Sequence, residues 1–243
     1  MAMGGIWAAL VFPLMFLFFR GAQDRPGEQR VTAKAASTLP GVSVAEGLRM
    51  AAFYKLLLAC GLFTFTALGI IVHFVPILTD RGADPLAAAG IASLIGIFSI
   101  VGRLGTGVLL DHLPGHLVGA GVFLLPIVAC ALLFADGANP LSQGIAAACF
   151  GLTVGAEVDV IAYLASRHFG LKNYGVLFGA MIGALALGTA FGPLAAGAAF
   201  DWYGSYAQFL VLTMVFMAAS SLALATLSRP RYGLHAQTQV SSA

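Results

Sequence analysis

One arginine, Arg103, interrupts an apolar run that otherwise extends over residues 85–110. A guanidinium is a planar fork that grips a carboxylate through two parallel hydrogen bonds. Its chemistry in such a place is therefore the recognition of an anion. An arginine at the centre of a membrane helix costs about 2.5–3.5 kcal/mol on insertion scales, so it must face protein or water. Ser99, Arg103 and Thr106 recur at i, i+4 and i+7 and share one helix face, while Leu94, Ile97, Val101, Leu104 and Val108 fill the other faces. These three are the candidate substrate-binding residues. Snorkelling, or holding helix ends together, is the structural alternative for Arg103. Farther along, Glu157 and Asp159 stand two residues apart, about 200° around a helix, so they cannot face the same groove. One of them is expected to face Arg103 or a cavity. Ionisable groups inside apolar spans mark proton and substrate paths, so both acids are candidates for proton coupling, with neutralisation of Arg103 as the alternative. His73 joins them as an imidazole that changes charge in the physiological range; packing is its alternative role.

The elements that must position these groups are membrane helices. The chain is 60% hydrophobic and 9% charged, with thirty glycines, against roughly 45–50% apolar in soluble domains. Crossing a hydrocarbon core takes about 20 helical residues. Runs of that kind fall at 3–19, 53–77, 85–110, 117–134, 140–166, 174–200 and 207–227. They lack the period-two alternation of barrel strands. Basic residues cluster on alternate connections: Arg20, Arg25, Arg30, Lys34, Arg49 and Lys55 around the first, Arg167 and Lys172 at the fifth, Arg229 and Arg231 in the tail. Arg81 lies opposite. The positive-inside rule then puts the amino terminus outside and the carboxy terminus in the cytoplasm, with Trp202, Tyr203 and Tyr206 forming an outer aromatic belt.

The domain organisation follows: a transmembrane helix at 1–20, a cytoplasmic linker at 21–52, a six-helix bundle at 53–227 and a cytoplasmic tail at 228–243. Ser43-Val44-Ala45-Glu46 is a capping-box pattern, so a short helix leads into the second span. The pattern Gly-x-Leu-x-x-Gly-x-x-x-Asp occurs twice, through Gly102, Gly107 and Asp111 and through Gly192, Gly197 and Asp201. The two copies should end on opposite membrane faces, the signature of two inverted three-helix repeats, which is how secondary transporters are built. Gly175, Gly179 and Gly183, spaced by four, form a small-residue stripe suited to close helix packing.

Several classes of function are disfavoured. A net charge of +2 with scattered basic residues offers nothing for nucleic acid. Cys60, Cys130 and Cys149 lie in apolar runs without paired spacing. No nucleophile and base set, phosphate loop or metal-ligand spacing is present, so neither an enzyme nor a cofactor or metal is expected. The first run has no positive flank before it and Arg20 after it, the reverse of a cleavable signal peptide. It reads as the sixth helix of a longer protein whose amino-terminal half is missing from this chain.

Taken together, Val72 to Gly82, Gly102-Arg103-Leu104 through Asp111, Gly155-Ala156-Glu157-Val158-Asp159, Arg167-His168-Phe169-Gly170 and Tyr174-Gly175 resemble the carboxy-terminal half of a major facilitator superfamily transporter. Within that superfamily they resemble the branch of monocarboxylate transporters and oxalate/formate antiporters. The resemblance implies an all-α integral membrane protein in which one extra helix precedes a six-helix carboxy-terminal bundle. It also implies a secondary carrier of small organic anions such as monocarboxylates, working by proton symport or anion exchange with alternating access. Oxalate-type members carry a lysine in the helix corresponding to the sixth span, where this chain has none. The expected location is a bacterial inner membrane. A truncated, non-transporting membrane protein or scaffold is the competing expectation.

The topology is open to direct test. Cysteines placed at Asp84 and Asp136 should react with an impermeant thiol reagent added from outside, and cysteines at Gln23 and Lys172 should not; the inverse pattern would reverse the orientation.

Overall fold

The computed structural model describes residues 39–228 together with Pro13 and Tyr232. The expected span at 3–19 and most of the linker and tail lie outside the described residues. Contacts separate Met1–Pro40 from Gly41–Ala243, and the helical bundle belongs to the second unit. Its elements are α1 (Val44–Arg49), α2 (Ala51–Val72), α3 (Phe74–Asp80), α4 (Pro85–His112), α5 (Gly115–Val122), α6 (Leu125–Asp136), α7 (Pro140–Phe169), α8 (Tyr174–Tyr203) and α9 (Ala207–Ala225). Among the described residues, six spans are long and apolar enough to cross a bilayer: α2, α4, α5 with α6, α7, α8 and α9. The chain is an all-α integral membrane protein.

Local chemistry sets where the helices begin. Ser43 accepts from the Glu46 amide at 3.2 Å, so the capping pattern does start α1. Asp84 and Asn139 cap α4 and α7 in the same way, each followed by a proline at the first helical position, where its missing N–H costs nothing.

Two spans expected to be continuous are broken. The run at 53–77 stops at Val72, and His73 separates α2 from α3; Pro76 has no N–H to give the Val72 carbonyl. The run at 117–134 breaks at Phe123 and Leu124, because Pro126 leaves the Val122 carbonyl without its helical donor. Inside a membrane such a carbonyl must find another partner. The Thr153 hydroxyl lies between Val122 O at 3.2 Å and Cys149 O of its own helix at 2.9 Å, and the Ser221 hydroxyl donates to Ala120 O at 2.8 Å.

The spans pack crosswise. Counted as two sets of three, α2, α4 and α5–α6 form the first and α7, α8 and α9 the second. The middle span of each set packs most extensively on the first span of the other: α4 on α7, and α8 on α2. Short turns join consecutive spans, so the second set runs opposite to the first. Glycines make both crossings. A Cβ at Gly102 would collide with the Leu152 carbonyl, and one at Gly155 with that of Ser99. At the other crossing, a Cβ at Gly192 would strike the Phe65 carbonyl, and one at Gly188 would lie 2.8 Å from Gly61 O. Around the crossings lie two apolar clusters, one centred on Phe63 and Phe123, the other on Phe74, Phe150 and Phe209. The stripe of Gly175, Gly179 and Gly183 does not take part: a Cβ at any of the three would meet nothing within 4 Å.

The end of α7 anchors the flanking segments. Gly170 takes φ 70°, a conformation that favours glycine, and there the chain turns into α8. The Val42 amide donates to Phe169 O at 2.9 Å, and the Tyr232 amide to Arg167 O at 3.0 Å. His168 stands 2.8 Å from Leu164 O and 3.0 Å from Ser228 O.

Overpacking a tight core costs roughly 1–3 kcal/mol. Gly102→Val and Gly192→Val should therefore lower the melting temperature of the chain in detergent clearly, by several degrees. Gly179→Ala should leave it unchanged or raised, since Ala exceeds Gly in helix propensity by about 1 kcal/mol.

Candidate substrate and proton sites

Arg103 sits at the edge of the seam where α4 meets α7. Its Nε lies 3.6 Å from Asp159 Oδ2 and 3.5 Å from the Gly155 carbonyl. The two side chains are 62% and 41% exposed, and an ion pair that open contributes only about 0–1 kcal/mol. Neither terminal nitrogen of Arg103 has a partner among the described residues. The side chain lines a cleft of about 310 Å³ shared with Ser99, Ile100, Leu104, Val154 and Gly155. Ser99 is half-buried and gives its hydroxyl hydrogen to Gly96 O at 2.7 Å. Thr106, expected on the same open face, is buried with Gly102 and Leu110 in the packing seam. Structure thus brings Arg103, Ser99 and Asp159 together and turns Thr106 away.

Glu157 faces the opposite way, as its spacing from Asp159 requires, and is 5% exposed between α7 and α2. Thr64 Oγ1 is 2.8 Å from its Oε1 and 2.9 Å from the Cys60 carbonyl. The Cys60 thiol lies 3.8 Å from the same Oε1. Thr64 has one hydrogen to give. When Glu157 is ionised, that hydrogen turns to the carboxylate. When Glu157 is protonated, its own hydrogen goes to Thr64, which then donates to Cys60 O. Both charge states have a satisfied arrangement, which a group that loads and unloads a proton needs. Thr64 and Cys60 were not legible as partners in the sequence, since nothing local marks a pair 93 residues apart.

His73 occupies the break between α2 and α3. Its Nε2 is 3.1 Å from the Pro193 carbonyl in α8, and its Nδ1 is 3.0 Å from the Tyr206 hydroxyl at the start of α9. Tyr206 is 6% exposed and stacks on Phe200, so it does not belong to the expected aromatic belt. Trp202 and Tyr203 are exposed. Burial pushes the Tyr206 phenol up, and the carboxylates of Asp80 and Asp201 push it the same way.

The doubled motif divides between packing and this site. Gly102 and Gly192 make the two crossings, and Gly197 lies against the His73 ring, whereas Gly107 faces open space. Asp111 and Asp201 are exposed at opposite ends of the bundle. Cys60, Cys130 and Cys149 are buried free thiols.

Six apolar spans in crosswise threes, with an arginine and acids inside them, define a polytopic membrane protein of the transport type. The sequence profile of the Major Facilitator Superfamily matches residues 1–193, and the chain belongs to that superfamily. It is 28% identical over 184 residues to the uncharacterized MFS-type transporter YhjX of Escherichia coli (strain K12), covering 71% of this chain and 44% of that protein. Over 189 residues it is 27% identical to monocarboxylate transporter 13 of Bos taurus, covering 77% and 44%. The Rattus norvegicus protein of the same name is 29% identical over 157 residues, covering 64% and 37%. The chain thus spans less than half the length of the curated relatives it matches.

A buried carboxyl stripped of its donor costs about 1–3 kcal/mol. Thr64→Val should therefore lower the thermal stability of the purified chain. Thr64→Ser keeps the hydroxyl and should retain most of the stability; equal losses in both variants would show that packing, and not the hydrogen bond, is at stake.

Proposed function

We propose that the chain forms one half of a secondary carrier for small organic anions, monocarboxylates among them, moved with a proton or by exchange. The observation that carries this is Arg103: a guanidinium well inside a span, held at Nε by Asp159 and Gly155, with its terminal fork unpartnered beside a small cleft. A substrate carboxylate can take both terminal nitrogens while Asp159 keeps Nε. Ser99 lines the same cleft, and Thr106 supports the helix from its packed side. The names of the two monocarboxylate relatives agree with this chemistry.

Glu157 is the proton-coupling group in this scheme, Asp159 the positioning partner of Arg103, and His73 a second protonatable group far from the cleft. Spans α4 and α8 carry the least buried faces of the bundle. An exposed arginine cannot face lipid cheaply, so the α4 face is assigned to a water-filled cavity closed by a second six-helix bundle, the amino-terminal half. The open glycines of α8 give that bundle a smooth surface to slide on. The two bundles rock as rigid bodies about the substrate, in a bacterial inner membrane with the tail in the cytoplasm.

In the full-length carrier, Arg103→Lys keeps the charge and loses the fork. Losing a charge-assisted hydrogen bond costs roughly 1.5–3 kcal/mol, so carboxylate affinity should fall by about one to two decades at an unchanged amount of membrane protein. Unchanged affinity would return Arg103 to a structural role. Glu157→Gln should abolish uptake driven by a pH gradient and spare exchange; loss of both together would remove Glu157 from proton coupling.

A further inference from the structure

On the Lys55 side of the α2–α8 crossing, the helices leave a groove. The Cys60 thiol lies 3.5 Å from the Met181 carbonyl and 3.8 Å from Glu157 of α7. The Tyr174 hydroxyl reaches Ala162 O of α7 at 3.4 Å, so the first half of α8 leans towards α7. The end of α9 is tied to α2 instead: Lys55 Nζ donates to Thr226 O at 2.6 Å and to Thr226 Oγ1 at 3.0 Å. Leu58 and Leu62 each stand two residues from Cys60, about 200° around α2, and so face away from α7 and from the Arg103 cleft. With Tyr54, Leu57, Gly61 and Ala184 they line a groove of about 430 Å³. Its lining side chains are apolar apart from the Tyr54 hydroxyl. Small residues keep it open, since a Cβ at Gly61 would already lie 3.7 Å from Ala184 Cβ.

From Tyr54 to Leu62 the groove runs about 12 Å along α2 at 1.5 Å per residue, most of the roughly 15 Å in one half of a hydrocarbon core. It opens near the start of α2, at the end of the bundle that also carries Arg49, Arg167 and Lys172, and reaches towards mid-membrane. The mouth is cationic. Lys55 shares a face with Leu58 and Leu62, at i, i+3 and i+7. Its ammonium has three hydrogens; Thr226 takes two, and no carboxylate among the described residues pairs with it. The Tyr54 ring meets Phe53, and its exposed hydroxyl has no partner among the described residues.

We infer that this groove is a binding site for one anionic phospholipid, with an acyl chain along Leu58, Gly61 and Leu62 and the phosphate on Lys55 Nζ and the Tyr54 hydroxyl. Apolar walls alone would take any lipid. A zwitterionic headgroup brings its own cation beside the phosphate and an anionic one does not, so Lys55 favours the second. Thr226 holds the ammonium in place beforehand, which lowers the ordering cost of binding. A seated chain keeps α8 in its lean, because α8 can move towards α9 only by closing the groove.

The test is native mass spectrometry of the 243-residue chain in detergent, titrated with dioleoyl phosphatidylglycerol or dioleoyl phosphatidylcholine. One phosphatidylglycerol should be held about tenfold more tightly than phosphatidylcholine, a decade in affinity. Lys55→Gln, which can still donate to Thr226 O, should bring phosphatidylglycerol down to the level of phosphatidylcholine and leave the latter unchanged. Should that variant not fold, Tyr54→Phe serves instead and should reduce the preference at least by half. Gly61→Leu fills the groove and should weaken both lipids alike; if it does not fold, Leu58→Asn, which sets an amide against the acyl chain, takes its place. Equal retention of the two lipids by the parent chain, an unaltered preference in Lys55→Gln or Tyr54→Phe, or unaltered retention in Gly61→Leu or Leu58→Asn overturns the site. Displacement of phosphatidylglycerol by an equal concentration of inorganic phosphate would leave a simple anion site, and a dimer that either lipid dissociates would give the groove to a second copy; each overturns the lipid assignment. The readout needs no substrate, so failure of the carboxylate assignment leaves it standing.

Discussion

Everything in the bundle depends on how closely two pairs of helix backbones approach. In a bilayer no hydrophobic force draws helices together, since lipid tails are as apolar as leucine; contact depends on van der Waals fit and interhelical hydrogen bonds. The glycines at 102 and 155 let α4 and α7 come so near that a single methyl would meet a carbonyl, and those at 188 and 192 do the same for α8 and α2. Each crossing uses the same device, a glycine whose Cβ would meet a carbonyl on the facing helix. The polar groups then settle where the crossings leave them. Arg103 finds the Gly155 carbonyl because α7 has no side chain there, and His73 finds the Pro193 carbonyl beside Gly192.

Polarity inside this fold is of two kinds. Ser221 is a repair: it donates to the Ala120 carbonyl at the break before Pro126 and helps a span to bend inside the membrane. Glu157 and Arg103 repair nothing. A carboxyl whose hydrogen bonds work in two protonation states, and a guanidinium whose outer nitrogens are unpartnered among the described residues, are costs that stability alone does not explain.

Much of the architecture was legible because hydropathy and helix length are one-dimensional signals. The six spans among the described residues, the cap at Ser43 and the doubled glycine motif all follow from local pattern. The separation of Glu157 from Asp159 followed too, since 200° is a property of one helix. What escaped needed a second helix. Thr106 shares a wheel sector with Arg103, yet the seam with α7 falls between them, and a polar stripe does not say whether it borders a cavity or a neighbour. Gly175, Gly179 and Gly183 have the spacing of a packing stripe and pack on nothing in the described bundle, while the glycines that do pack are read only with the partner carbonyl in view. Tyr206 has the composition of an interfacial aromatic and the burial of a core residue, because His73 lies beneath it.

The central claim is that close backbone contact at Gly155 presents the Arg103 fork to a carboxylate. Electron cryomicroscopy of the full-length carrier with a bound monocarboxylate tests it most directly. The account predicts density joining the carboxylate to both terminal nitrogens of Arg103, with Nε still on Asp159 and α4 still seated on α7 at Gly102 and Gly155. A carboxylate bound elsewhere, with the terminal nitrogens of Arg103 taken up by protein groups, would contradict it.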